Sequence, residues 1–140
     1  MVDKLLKNGM IVTVNKERKI YYHGAMAVTG DRITEVGETK ELEEKCKDAK
    51  EVIDLDGKII FPGFINTHNH LFQTLLKGLG DDMVLSDWLA TMTFPAAQYL
   101  EPEDCYYGAM LGCMEGIRSG MTTQVDYMYP HAREGLSDGV

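Results

Sequence analysis

The 140-residue chain contains four histidines, and two of them, His68 and His70, stand one residue apart in "PGFINTHNHLFQ", Pro62 to Gln73. On a β-strand, residues i and i+2 point to the same face, so this spacing aims two imidazoles at one point while Asn69 faces away. That is a chelate geometry, and two neutral imidazoles suit zinc or a related divalent ion. A catalytic zinc takes three protein ligands and keeps one position for water, so the pair alone is half a site. An H-x-H on a half-buried strand can equally satisfy neighbouring carbonyls, and motifs this short recur by chance. Position favours the metal, because the pair ends the first buried strand of an apparent βα series, where parallel sheets and barrels place their chemistry.

Other polar residues gather near the same point. Gln73 follows His70 by three residues, and its amide offers a donor and an acceptor together, matching the N–C=O or N–C–N edge of a heterocycle; a helix residue in solvent is the alternative. His131 lies just past the second strand of the series, on the same rim, and is read as a loop or substrate contact rather than a metal ligand, since it lacks paired spacing. His23 reads as a surface residue. Asp126 within the second strand and Glu115 on a helix are not placed as an acid/base pair, because both would have to reach the rim.

The elements that must hold these residues divide at about residue 60. Residues 1–60 carry short strand signals separated by polar turns. Asn8-Gly9 predicts a hairpin turn leading into "MIVTV", and Gly30-Asp31 predicts another between "AMAVT" and "RITEVG". "ETKELEEKCKDAKE" has no apolar stripe and predicts a short solvated helix or turn, after which "EVIDLDGKII" resumes as strand around an Asp-Gly turn. Residues 61–140 change character. "KIIFPGFINTH" is nearly continuous apolar sequence, as in a parallel strand buried on both faces. "SDWLATM" predicts a helix with Ser86 as N-cap. A longer helix opens near Pro102, with Tyr106, Ala109, Met110, Cys113 and Ile117 at helical spacing and Gly120 as its stop. "MTTQVDYMY" predicts the next strand, ended by Pro130. Strands alternating with helices imply a parallel sheet with crossover connections.

Composition narrows the partners. A net charge of -8 and a pI near 4.9 disfavour nucleic acid and anionic membranes, because such a surface repels phosphates. No apolar run approaches the ~20 residues of a membrane span, and the N-terminal sequence lacks a signal-peptide core, so the cytoplasm is the expected compartment. Cys46, Cys105 and Cys113 form no CxxC pair and read as buried or idle thiols; the nine scattered methionines read as core filler.

"PGFINTHNH", preceded by "VIDLDGKII" and "AVTGDRITEVG" and followed by "LLKGLGDDM", "DWL", "LEPEDCY" and "SGMTTQVDYMY", resembles the N-terminal third of the amidohydrolase superfamily, in its cytosine deaminase, guanine deaminase and triazine hydrolase branch. The resemblance covers essentially the whole chain. It implies an α/β fold: a small β-sandwich domain, here residues 1–60, then residues 61–140 as the first two strand–helix units of a TIM (β/α) barrel. It implies one divalent metal, zinc with iron as the alternative, on His68 and His70. The remaining ligands and the proton-transfer groups would come from later strands, so no catalytic acid or base is expected before Val140. The resemblance also implies a base contact for Gln73, a place at the pocket mouth for Trp88, which spacing alone would assign to the core, and a homo-oligomeric full-length enzyme. Where adenosine-type deaminases of this branch place a ribose-binding glutamate, this chain has Ala97, which counts against a nucleoside.

A complete barrel needs about 250 residues, whereas only about 80 follow Phe61, so a piece of a longer enzyme is expected. The chemistry implied is hydrolytic deamination of a cyclic amidine in a purine, pyrimidine or triazine ring, by a metal-bound hydroxide whose parent water has its pKa lowered from 15.7 to about 7. Two rivals stay open: a triazine-type hydrolase releasing chloride or an alkylamine, and an inactive truncated chain.

Overall fold

Asn8-Gly9 does not turn the chain. In the computed structural model, which describes residues 1–140, strand β1 runs unbroken through it from Lys4 to Val12. Asn8 takes a left-handed φ of 59°, and the antiparallel register with β2 (Ile20–Thr29) slips by one residue between Leu6 and Gly9, returning between Gly9 and Ile11. The dipeptide is a β-bulge, because the positive φ that suits a hairpin turn suits an inserted strand residue equally well. Gly9 is required at the bulge, since a β-carbon there would lie 2.8 Å from the Lys58 carbonyl oxygen. Gly30-Asp31 does form the expected turn, joining β2 to β3 (Arg32–Glu38).

The first unit, Met1–Pro62, is one five-stranded sheet in the order β3-β2-β1-β4, with β4 (Glu51–Asp54) and the two-residue β5 (Ile59–Ile60) both parallel to β1. Between β3 and β4 lies helix α1 (Thr39–Lys45), and it is not simply solvated. Leu42 is 1% exposed and Cys46 4%, and both pack with Leu5, Ala25 and Ala27. One leucine and one cysteine four residues apart are enough to seat a two-turn helix, although they make no recognisable stripe. The Asn8 amide group donates to Asp54 Oδ2 at 2.8 Å and its backbone N–H donates to Thr39 Oγ1 at 3.1 Å, so the bulge also ties α1 and β4 to β1.

The second unit, Gly63–Val140, contains two parallel strands, β6 (Phe64–Asn69) and β7 (Met121–Asp126). The apolar run "KIIFPGFINTH" is therefore two strands, β5 and β6, broken at Phe61-Pro62-Gly63. Phe64 and Ile65 of β6 are exposed in this chain, in which β6 pairs with β7 alone. After β6 come a 3₁₀ segment (Leu71–Leu76), α2 (Leu85–Trp88), a π-helical stretch (Leu89–Thr93) that carries α2 straight into α3 (Phe94–Ala97), and α4 (Pro102–Arg118). The N-cap of α2 is Val84 rather than Ser86, which lies inside the first turn. Glu101 and Asp104 form a reciprocal capping box at the start of α4, and Gly120, with φ 84°, stops it.

Only part of the predicted face of α4 is buried: Ala109 is, and Cys113 is half-buried. Cys105, Gly108, Ala109, Gly112 and Gly116 are buried, whereas Tyr106, Met110 and Ile117 are exposed. Small residues sit there because the helix presses on the 3₁₀ segment; a β-carbon on Gly108 would be 3.1 Å from the Leu71 carbonyl oxygen and 3.3 Å from that of Phe72. Phe72, Ala97, Leu100, Cys105 and Leu136 form the core of this unit. None of the nine methionines is fully buried, although Met128 packs against the core of this unit.

All three cysteines are free thiols. Burial pushes the Cys105 thiol up, and Asp104 and Asp126 add to the effect. At neutral pH, mass spectrometry after iodoacetamide treatment is expected to find half-buried Cys113 alkylated at least ~10-fold faster than buried Cys46 and Cys105.

Candidate metal and substrate site

Parallel pairing of β6 with β7 decides where the two histidines point. The register places Asn66 opposite Gln124 and Asn69 opposite Asp126. Asn69 donates its amide nitrogen to Gln124 Oε1 at 2.5 Å, while its Oδ1 accepts the His70 backbone N–H at 2.9 Å. On the other side, His68 Nε2 and His70 Nε2 lie 3.2 Å apart. The segment after the strand is pinned by its backbone: Asp126 Oδ1 accepts the Leu71 N–H at 2.6 Å, and the Gln73 N–H reaches the His70 carbonyl at 3.0 Å.

Two nitrogens bound tetrahedrally to one zinc at about 2.0–2.1 Å are separated by roughly 3.3 Å, so the observed spacing, which in the metal-free chain is that of an N–H···N hydrogen bond, also suits two ligands on one ion. His70 Nδ1 lies 2.7 Å from the Tyr127 carbonyl oxygen, which cannot donate, so Nδ1 carries the proton and Nε2 keeps its lone pair for a cation. The residues present therefore fit a divalent metal. They would supply two of its ligands; no group of three or more His, Cys, Asp or Glu side chains is gathered in the chain.

The pair opens on a cleft of about 340 Å³ whose walls include Gln73, Lys77, Trp88 and Met92. Gln73 and Trp88 thus stand in one cleft with the histidines. The Gln73 amide is half-buried and donates through Nε2 to the Tyr129 hydroxyl at 2.5 Å, which leaves Oε1 as its free acceptor. Burial pushes the Tyr129 phenol up, only partly offset by Gln73 and Thr93 beside its oxygen. The Thr93 hydroxyl is fully buried there and makes no hydrogen bond of ordinary geometry.

His131 is not brought to this cleft: it is exposed, with Nδ1 3.3 Å from Ser137 Oγ. His23 is exposed on β2. Glu115 pairs with Lys77 on the surface, and Asp126 is occupied as the cap of the 3₁₀ segment, so neither stands free to move a proton. Ala97, 4% exposed, packs among Phe72, Leu100, Cys105 and Leu136, so its small side chain answers to core packing. Sequence reading missed Tyr127 and Tyr129. The only signal for them was "DYMY" at the end of β7, which says nothing of its partner strand.

Two same-face histidines at the end of the first of two parallel strands, with a cleft beside them, form the arrangement expected of a metal-dependent hydrolase. Residues 59–138 match the model of the amidohydrolase family, and the chain belongs to that family. It is 37% identical over 131 residues to a 5-methylthioadenosine/S-adenosylhomocysteine deaminase of Lawsonia intracellularis, an alignment covering 92% of this chain and 29% of that one. Among solved structures it resembles a zinc-bound adenosine deaminase from Xanthomonas campestris, with a TM-score of 0.80, 26% identity, and coverage of 91% of this chain and 29% of that one. It also resembles an atrazine chlorohydrolase from Arthrobacter aurescens complexed with zinc and atraton, with a TM-score of 0.82 over 97% of this chain and 32% of that one; at 20% identity this likeness bears on the fold alone. The chain thus spans less than a third of each of these proteins, and its α/β architecture is that of the corresponding part of amidohydrolase barrels.

Proposed function

We propose that the full-length protein is a metal-dependent amidohydrolase that deaminates a cyclic amidine in a purine, pyrimidine or triazine ring. The observation that carries this reading is the 3.2 Å separation of two imidazole nitrogens at a strand end, one of them with its tautomer set by a carbonyl. The naming of a relative and a structural neighbour as deaminases supports the choice of reaction. His68 and His70 hold the cation, and zinc is the metal of the adenosine deaminase neighbour. Such a cation, when bound, polarises the ring carbon's substituents and acidifies water to about pKa 7.

The chain's own residues bind and orient the ring. Gln73 presents Oε1 to an N–H on the ring edge, while Trp88 and Met92 give it an apolar wall. His131 keeps its proposed substrate role only if the loop after Pro130 brings it to a bound ring. The sheet of the first unit is proposed as one layer of the small β-sandwich. Because Ala97 serves the core, nucleosides belong in the substrate panel.

The test is to load the full-length protein with zinc and measure ammonia, chloride and alkylamine release from aminopurines, their nucleosides, cytosine and chlorinated triazines. Ammonia from an amino-bearing ring is the expected product. Chloride or alkylamine alone, or no turnover across the panel, would contradict the reading.

A further inference from the structure

One residue of β7's end holds three consecutive residues of the histidine segment. The Tyr127 N–H donates to the Asn69 carbonyl at 2.8 Å, and its own carbonyl accepts the His70 Nδ1–H at 2.7 Å. Its ring lies on the His68 imidazole, with centroids 4.9 Å apart and planes 25° from parallel. We propose that Tyr127 is a positioning residue that sets both imidazoles before a cation arrives, an inference resting on the reading of His68 and His70 as a metal pair.

The two histidines are held by different means. A neutral imidazole can carry its proton on either nitrogen, and only a partner on Nδ1 keeps Nε2 free for a metal. His70 has that partner in a backbone carbonyl, which no side-chain change at position 127 removes. His68 has no hydrogen-bond partner on Nδ1; the Tyr127 ring stacks on its plane and the His70 ring meets it edge-on, centroids 5.0 Å apart. Losing the tyrosine ring therefore takes from His68 the partner stacked on its plane, leaving its edge contact with His70, and takes from His70 only an edge-on contact at 6.3 Å while its hydrogen bond stays; losing only the hydroxyl removes neither ring contact.

Metal-free full-length protein titrated with Co²⁺ alone tests this. Tyr127→Phe is expected to keep the Co²⁺ Kd within about threefold of wild type, and Tyr127→Leu to raise it by ~10-fold or more. In ¹⁵N-histidine NMR spectra of the metal-free forms, His70 is expected to carry its proton on Nδ1 in all three proteins. The His68 ring protons are expected to be shielded by the aromatic ring in wild type and Tyr127→Phe, and not in Tyr127→Leu. A folded Tyr127→Leu with unchanged Co²⁺ affinity overturns the inference while leaving the metal pair intact, whereas a wild-type protein that takes up no Co²⁺ overturns both. Should Tyr127→Leu fail to fold, the wild-type spectrum decides: a proton on His70 Nε2, or an unshielded His68, refutes the inference.

Discussion

Replacing His70 by alanine in the full-length protein is expected to strip the divalent metal and to lower kcat/KM for ammonia release by at least ~10³-fold, since a Lewis acid supplies several kcal/mol of transition-state stabilisation. His68→Ala should do the same. The equality is informative, because each ring supplies one of the two nitrogens found 3.2 Å apart, and either one alone is a monodentate ligand. Circular dichroism should be little changed: His68 is exposed and His70 half-buried, so neither carries the core. Metal content measured by plasma mass spectrometry, beside the kinetics, separates loss of the ion from loss of the fold.

The second large effect is on stability. Phe72 is 0% exposed, the largest fully buried side chain, and it packs with Ala97, Leu100, Cys105 and Leu136 under α4. Phe72→Ala is expected to destabilise the second unit by about 3–5 kcal/mol, read as a lower urea midpoint. The ring also meets His70 edge-on, with centroids 6.4 Å apart, and Tyr129 at 5.1 Å. Loss of the phenyl group should therefore loosen the site as well as the core, so metal affinity is expected to fall with stability. Phe72→Leu, which keeps most of the apolar volume, should cost less in both.

These expectations show where sequence sufficed. The histidine pair was legible because a period of two is a local property of any strand, and Gln73 lay within a turn of it. Asn8-Gly9 misled because a dipeptide that tolerates positive φ serves a bulge and a hairpin equally well, and only pairing with β2 distinguishes them. The buried face of α4 was legible only at Ala109 and, in part, Cys113, for a different reason. Gly108, Gly112 and Gly116 make it by permitting close approach, and hydrophobic periodicity assigns glycine no weight. Methionines were uneven core markers: Met128 packs against the core, yet this chain exposes Met110 and Met114 on a helix whose other face carries the packing.

Tyr127 stayed hidden because its role depends on the register of two strands more than fifty residues apart in sequence. A carbonyl acts here as much as a side chain, and no residue type announces it. The cleft's other wall shows the same limit. Trp88 entered through resemblance, whereas Met92 and Lys77 entered only once the helices after β6 were placed.

His68 and His70 are expected to hold one cation between them. Crystals of the full-length protein, measured at the zinc absorption edge, should show an anomalous peak about 2.0–2.1 Å from both Nε2 atoms. A peak bound to other residues, or two histidine rings hydrogen-bonded to each other with no peak in zinc-loaded crystals, would contradict it.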